Sequence, residues 1–372
     1  MRIPFLDLKT QYTSIRVEIA EAIQRVLDST QYILGPEVAA FEESFASAHG
    51  ASHCVATNNG TSALHLALWA LGIKSGDEVI LPVNTFIATA EAVLLCGATP
   101  IFVDHDNYYA IDAEEVERRI TRRTRAIMAV HLYGQLADMP ELSSIAKRNG
   151  LMLLEDAAQA HLASLDGKRS GAWGKATGFS FYPGKNLGAY GEAGAVLTED
   201  PALAEKMRRI RDHGSENKYW HTIAGHNYRL EALQGAILNV KLKYLQSWTE
   251  ARQHHAAEYA ERLVGIPEIS LPKVRDAAGH VYHLYVIQAK DRDKLREFLE
   301  KREISTGLHY PVPLHLQPCF RNLGYKEGAF PRAERAAGRI LSLPMYPELT
   351  SEQIAFVADS IREFYATQGA KS

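Results

Sequence analysis

Three stretches of this 372-residue sequence place chemically useful side chains where apolar runs end. The first is SFYPGKNLGAYGEAG (180–194), in which Lys185 follows Pro183-Gly184 and precedes Gly188, Gly191 and Gly194. Lysines ordinarily sit in water. One confined where a strand breaks into a glycine-rich turn loses basicity by desolvation, and a neutral amine attacks an aldehyde. The second is LMLLEDAAQA (151–160), an apolar run finishing in Glu155-Asp156. It carries a carboxylate from the core to a sheet edge, where the charge needs a cation. A protonated pyridine nitrogen is one such cation, and a nearby arginine is another. The third is TNNGTSALHLAL (57–68), where Gly60, Thr61 and Ser62 open an apolar helix and Thr61 or Ser62 is placed to cap it. Such a start is either a plain capped turn or, through its N–H groups, hydroxyls and dipole, a phosphate cradle.

Nucleotide-binding readings of the same residues fail on spacing. GFSFYPGKN has five residues between its glycines, one too many for a P-loop, and Asn186 where Ser or Thr would bind magnesium. GAYGEAG leads into AVLTED, an extended run and not a helix, so it is no dinucleotide fingerprint. An activated lysine, an acid for a pyridine nitrogen and a phosphate cradle together form the set that pyridoxal 5′-phosphate (PLP) requires. On this reading Lys185 holds an aldehyde as a Schiff base.

The elements that must position these groups alternate along the chain. EVILP (78–82), TPIFVD (99–104), RAIMAVHLYG (125–134) and LMLLEDA (151–157) are predicted strands. Helices over 86–97, 111–120 and 139–150 separate them, two of these stopping at glycine. Strands apolar along their whole length and spaced by helices imply a parallel sheet covered on both faces, with ligands at its carboxyl edge. Helices over 229–246 and 248–264 follow. After Ile266-Pro267 come a predicted strand (HVYHLYVIQA), a charged helix (DRDKLREFLEKR), a short strand (STGLHYP) and a helix over 350–366, which together suggest a smaller α+β lobe. The expected division is 1–247 and 248–372. Net charge is −3 without a basic block, which argues against nucleic acid. No run approaches the roughly 18 apolar residues of a membrane span. Cys54, Cys96 and Cys319 are scattered, as expected of a cytoplasmic protein without disulfides or zinc.

Ordered blocks over nearly the whole length, from FLDLKTQY and LGPEVAAFEESFA through NNGTSAL, EDAAQA, SFYPGKN and HNYRL to HYPVPLHLQP, are similar to the DegT/DnrJ/StrS family of sugar-nucleotide aminotransferases. The resemblance implies an α/β, aspartate-aminotransferase-like (fold type I) protein: a large domain with a mixed, mostly parallel sheet, plus a smaller C-terminal domain. It implies that Lys185 is the Schiff-base lysine and later the acid/base of the proton shift, and that Asp156 partners the pyridinium nitrogen. Gln159 would contact the ring 3-oxygen, Phe86 would stack on the ring, and Gly60, Thr61, Ser62 and Ser180 would bind the phosphate. Asn227 would reach the phosphate of a neighbouring subunit, implying a homodimer with shared sites.

Tyr182 and the run KNLGAYGEAGA resemble members that aminate a sugar at C3, with Ala193 a departure where that pattern has glycine. The implied substrate is a dTDP-3-keto-6-deoxyhexose, aminated with L-glutamate as donor for use in an O-antigen, S-layer glycan or antibiotic sugar. A UDP-linked 3-keto uronic acid and a 4-keto sugar remain alternatives. Gly35, Lys218, Tyr219, Arg229, His309, Tyr310 and His315 are candidate substrate contacts. The paired histidines of LHYPVPLHLQP lack an acidic third ligand beside them, so no metal is expected. A sugar dehydratase of this family would carry histidine in place of Lys185. A non-catalytic sensor would have to work without using Lys185.

Overall fold

The computed structural model describes residues 1–369. Its centre is a seven-stranded sheet: β1 His53–Thr57, β2 Glu78–Pro82, β3 Thr99–Val103, β4 Thr124–Val130, β5 Met152–Asp156, β6 Ala176–Ser180 and β7 Gly194–Thr198. The spatial order is β1-β7-β6-β5-β4-β2-β3. β7 runs antiparallel to both of its neighbours, β1 and β6, and the remaining adjacent pairs are parallel. Alternate side chains enter two cores. Ile80 packs with Phe41, Phe45 and Ile127 on one face, while Val79 and Leu81 pack with Leu66 and Val93 on the other. Burial of both faces is why these strands read as continuous apolar runs instead of alternating ones.

The first seven helices are α1 Leu8–Ser29, α2 Pro36–His49, α3 Gly60–Ala70, α4 Ile87–Leu95, α5 Ala113–Arg119, α6 Met139–Asn149 and α7 Pro201–Arg211. Five more follow: α8 Ala232–Leu242, α9 Leu245–Leu263, α10 Arg292–Lys301, α11 Pro331–Ala337 and α12 Ser351–Gly369. Helix α9 is continuous through position 247/248. A third core joins Tyr259 of α9, Leu295 of α10 and Ile361 of α12 to Tyr285 and Leu341, and also takes in Ile3 from the other end of the chain.

Four expected elements are shorter than their apolar patterns, each because another contact takes the backbone. Strand β4 stops at Val130, where the Tyr133 N–H donates to the Gln159 side chain and the Ala137 N–H to His131. Residues 229–231 are extended instead of helical, since Leu230 and Ala232 pair with Leu34 and Tyr32. The strand in HVYHLYVIQA covers only Tyr285–Ala289, because Val281 and Leu284 donate to Gly134 and Tyr133. STGLHYP makes a single bridge, Gly307 with Ser342, and is otherwise irregular.

Candidate active site

The loops leaving the carboxyl ends of β1, β2, β4, β5 and β6 open into a cavity of about 1000 Å³, closed from the C-terminal side by His283, His309 and Tyr310. Gly60, Thr61, Ser62, Phe86, Asp156, Gln159, Ser180, Tyr182, Lys185, His309 and Tyr310 all line it. Eleven of the sequence candidates, scattered over 250 positions, therefore meet at one place.

Glu155 and Asp156 are adjacent on a strand and so point to opposite faces. Glu155 is fully buried and saturated. It accepts hydrogen bonds from His131 Nε2 (2.9 Å), the N–H groups of Gly171, Trp173 and Gly174, and Thr177 Oγ1 (2.9 Å). These donors outweigh desolvation and hold its carboxyl below the usual range. Asp156 turns into the cavity with two donors only, Thr89 Oγ1 to Oδ2 (2.7 Å) and the Ala158 N–H to Oδ1 (3.1 Å). Burial raises its carboxyl above the usual value despite them. Among the described residues no arginine forms a salt bridge with Asp156, which disposes of the simple ion-pair explanation. Lys185 acts on the carboxylate through space without forming a salt bridge with it.

Lys185 is half-buried against the cavity, and desolvation pushes its ammonium down to about 8, with Asp156 pulling the other way. Near pH 8 a substantial fraction is the neutral nucleophile. The helix cap differs from expectation. Asn59 caps α3 by accepting from the Ser62 N–H (2.8 Å), which leaves the Thr61 and Ser62 hydroxyls uncommitted to capping. Gly60 is required by close approach, because a Cβ there would lie 2.6 Å from Ser180 Cβ. Backbone, hydroxyls and an eleven-residue helix start thus converge on the cavity as a site for an anionic group. Gln159 accepts from the Tyr133 N–H (2.7 Å) and donates to Tyr310 Oη (3.2 Å). Phe86 is 54% exposed and stands 5.6 Å from the Tyr310 ring, an apolar face presented to the cavity.

Six sequence candidates lie away from this cavity. His315 is buried and bonds Glu334 (2.9 Å), packing against Phe330. Gly35 starts α2 with φ 81°. Arg229 pairs with Asp212 (2.8 Å), and Lys218 lies over the Tyr219 ring in an exposed hairpin, with Tyr219 83% exposed. Asn227 is exposed beside that hairpin. Sequence reasoning missed Thr89 and His283. Thr89 follows Thr85 at helical i,i+4 spacing, a signal that was available; His283 had none. Among the described residues no cluster of metal-ligating side chains occurs, and no helix is long and apolar enough to cross a membrane.

The site fits PLP on its own terms. Among the described residues a buried acid has no salt-bridge partner, a desolvated amine acts on it, and a glycine-walled anion cradle that a Cβ would fill completes the set. A PLP-dependent enzyme of the α/β aminotransferase type is the class so defined. Residues 13–362 match the DegT/DnrJ/EryC1/StrS aminotransferase family, and the chain belongs to that family. A dTDP-3-amino-3,4,6-trideoxy-α-D-glucose transaminase of Streptomyces venezuelae is 48% identical, covering 98% of this chain and 96% of its own. A dTDP-3-amino-3,6-dideoxy-α-D-galactopyranose transaminase of Aneurinibacillus thermoaerophilus is 45% identical, covering 97% and 99%. The crystal structure of DesV from S. venezuelae superposes with a TM-score of 0.96 at 48% identity, covering 98% of each chain.

Proposed function

We propose that this aminotransferase converts a dTDP-linked 3-keto-6-deoxyhexose to the 3-amino sugar with L-glutamate as amino donor. The cavity carries the reading: at about 1000 Å³ it is at the upper end for small-molecule sites, with room for a cofactor and a nucleotide sugar. The two transaminase relatives, both named for 3-amino dTDP-sugars, support the position of amination and the nucleotide.

PLP, when bound, supplies an electron sink for the charge left on a deprotonated carbon. Gly60, Thr61, Ser62 and Ser180 would hold its phosphate, and Asp156 would face its ring nitrogen. The rest belongs to the chain. Thr89 and Ala158 fix the Asp156 carboxylate, so its charge is presented without reorganisation. Lys185 Nζ, poised near 8, would accept the proton from the α-carbon of L-glutamate in one half-reaction and deliver a proton to the sugar C3 in the other. Phe86, Tyr310 and His309 line the cavity and narrow it. L-glutamate and the sugar use the same cavity in turn. We place Asn227, Lys218, Tyr219 and Arg229 on the surface that a second copy brings to its neighbour's site, with the homodimer as the working unit.

The test is a titration of the PLP-loaded enzyme with dTDP-3-amino-3,6-dideoxyglucose and, separately, its 4-amino isomer, following the visible absorbance of the bound cofactor. A change with the 3-amino sugar alone is expected. A change with the 4-amino sugar instead refutes C3 amination. A change only with a UDP-linked 3-amino uronic acid refutes the dTDP-hexose assignment.

A further inference from the structure

His283 lines the cavity but belongs to none of the groups assigned so far. Its protonation pattern can be read from the atoms that hold it. Asn186, the residue after Lys185, donates from Nδ2 to the Val281 carbonyl (3.0 Å). A carbonyl can only accept, so this bond fixes the amide orientation and leaves Asn186 Oδ1 as an acceptor. Oδ1 lies 3.1 Å from His283 Nδ1, which must therefore carry the hydrogen. Protonation of the second nitrogen is disfavoured by desolvation and by Lys185, Arg252, His309 and His161 around it. In the neutral ring Nε2 is then a bare lone pair, with no hydrogen-bond partner among the described residues. His131 shows the opposite case: its Nδ1 accepts from the Ala137 N–H, so its Nε2 donates to Glu155.

A pure acceptor in a substrate cavity selects its ligand. Phosphate oxygens and thymine carbonyls are acceptors too and gain nothing from it; the donors a dTDP-sugar offers are thymine N3–H, the deoxyribose 3′-hydroxyl and the hexose hydroxyls, and dTDP alone carries the first two. We propose that His283 Nε2 accepts a hydrogen bond from a hydroxyl of the substrate hexose, with Asn186 as the positioning residue that fixes its tautomer. This rests on the nucleotide-sugar reading above.

Two measurements on the PLP-loaded enzyme test it. In ¹⁵N-histidine-labelled protein, with the His283 signal identified by its loss in H283Q, the ring is expected to be neutral and Nδ1-protonated at pH 7. An Nε2-protonated or doubly protonated ring overturns the proposal. In calorimetry with dTDP-3-amino-3,6-dideoxyglucose and with dTDP, H283F is expected to weaken the sugar nucleotide about tenfold, the worth of one hydrogen bond, and to leave dTDP unchanged. H283Q, which keeps an acceptor, is expected to recover most of the loss. Equal losses for both ligands, or no loss for either, overturn it. Should the wild-type enzyme bind dTDP but not the amino sugar, the substrate assignment falls with the hydroxyl contact, while the NMR result still decides the tautomer.

Discussion

Replacing Glu155 with glutamine and Asp156 with asparagine makes the same chemical change at adjacent positions, with opposite expected results. Glu155 is 0% exposed, and its Oε1 receives Trp173, Gly174 and Thr177 while Oε2 receives His131 and Gly171. In E155Q one oxygen becomes an NH₂ that faces donors. The cheaper orientation puts it at the Oε2 position and leaves two donors unpaired. Each costs about 1–3 kcal/mol, so the loss is about 2–6 kcal/mol, against a typical whole-protein stability of about 5–15 kcal/mol. D156N strips charge from a carboxylate that burial already disfavours, so apoenzyme stability is expected to hold or rise while turnover falls about a hundredfold or more. Urea unfolding of the three apoenzymes reads the first effect, and steady-state transamination the second. The pH dependences also oppose each other. Glu155, held below 4.5, contributes stability above that value that disappears as pH falls through its folded pKa, so the E155Q deficit shrinks in acid. Asp156, raised above 3.8, favours the fold below that value and loses this as pH rises through its folded pKa, so D156N gains on wild type toward neutrality. An E155Q apoenzyme within about 0.5 kcal/mol of wild type at pH 7, below the cost of one unpaired donor, refutes the assignment of Glu155 as a structural anchor.

Other outcomes can be checked directly. Acetylation of the apoenzyme at pH 8, mapped by peptide mass spectrometry, is expected to modify Lys185 faster, relative to its accessibility, than exposed lysines such as Lys9, because its amine titrates near 8. G60A is expected to weaken PLP binding at least tenfold in equilibrium dialysis, since its Cβ must displace Ser180 from 2.6 Å, while leaving the far core intact. H315A is expected to lower the unfolding midpoint without raising the KM for the sugar, as its partner is Glu334 and not the cavity. Mixed dimers of inactive K185A and inactive N227A subunits are expected to regain activity if sites are shared, and their staying inactive refutes the shared-site proposal.

Much of this arrangement was legible in the sequence. The strand ends at Thr57, Asp156 and Ser180 showed because both-face burial demands unbroken apolar runs, and chemistry concentrates where those runs stop. Lys185 stood out as a polar residue in an apolar and glycine-rich setting. Elements whose backbone is claimed from elsewhere were not legible. The stop of β4 at Val130 depends on Gln159, and the irregular path of 280–284 on Gly134 and Tyr133. The tautomer of His283 likewise depends on Asn186, 97 residues away in the chain. Strand alternation could have separated Glu155 from Asp156, but the number of donors facing each is a property of the folded neighbourhood. His315 looked like a site residue because LHYPVPLHLQP resembles a substrate-side segment of the family; the short helical turn Leu314–Leu316 sets it in a different packing environment, against Glu334 and Phe330.

The insertion of β7 between β1 and β6 has a consequence for synthesis. β1 pairs with no strand except β7, and the Gly194 that opens β7 leaves no room for a Cβ against the Asn59 carbonyl, which would lie 2.3 Å away. A chain growing on the ribosome therefore displays the start of α3 without its sheet partner while about 140 further residues are made. The cradle cannot close, nor the cofactor be gripped, before β7 has emerged. Lys185 leaves the ribosome only shortly earlier, and since burial is what lowers its basicity, its amine stays an ordinary protonated one until the wall beside it is complete.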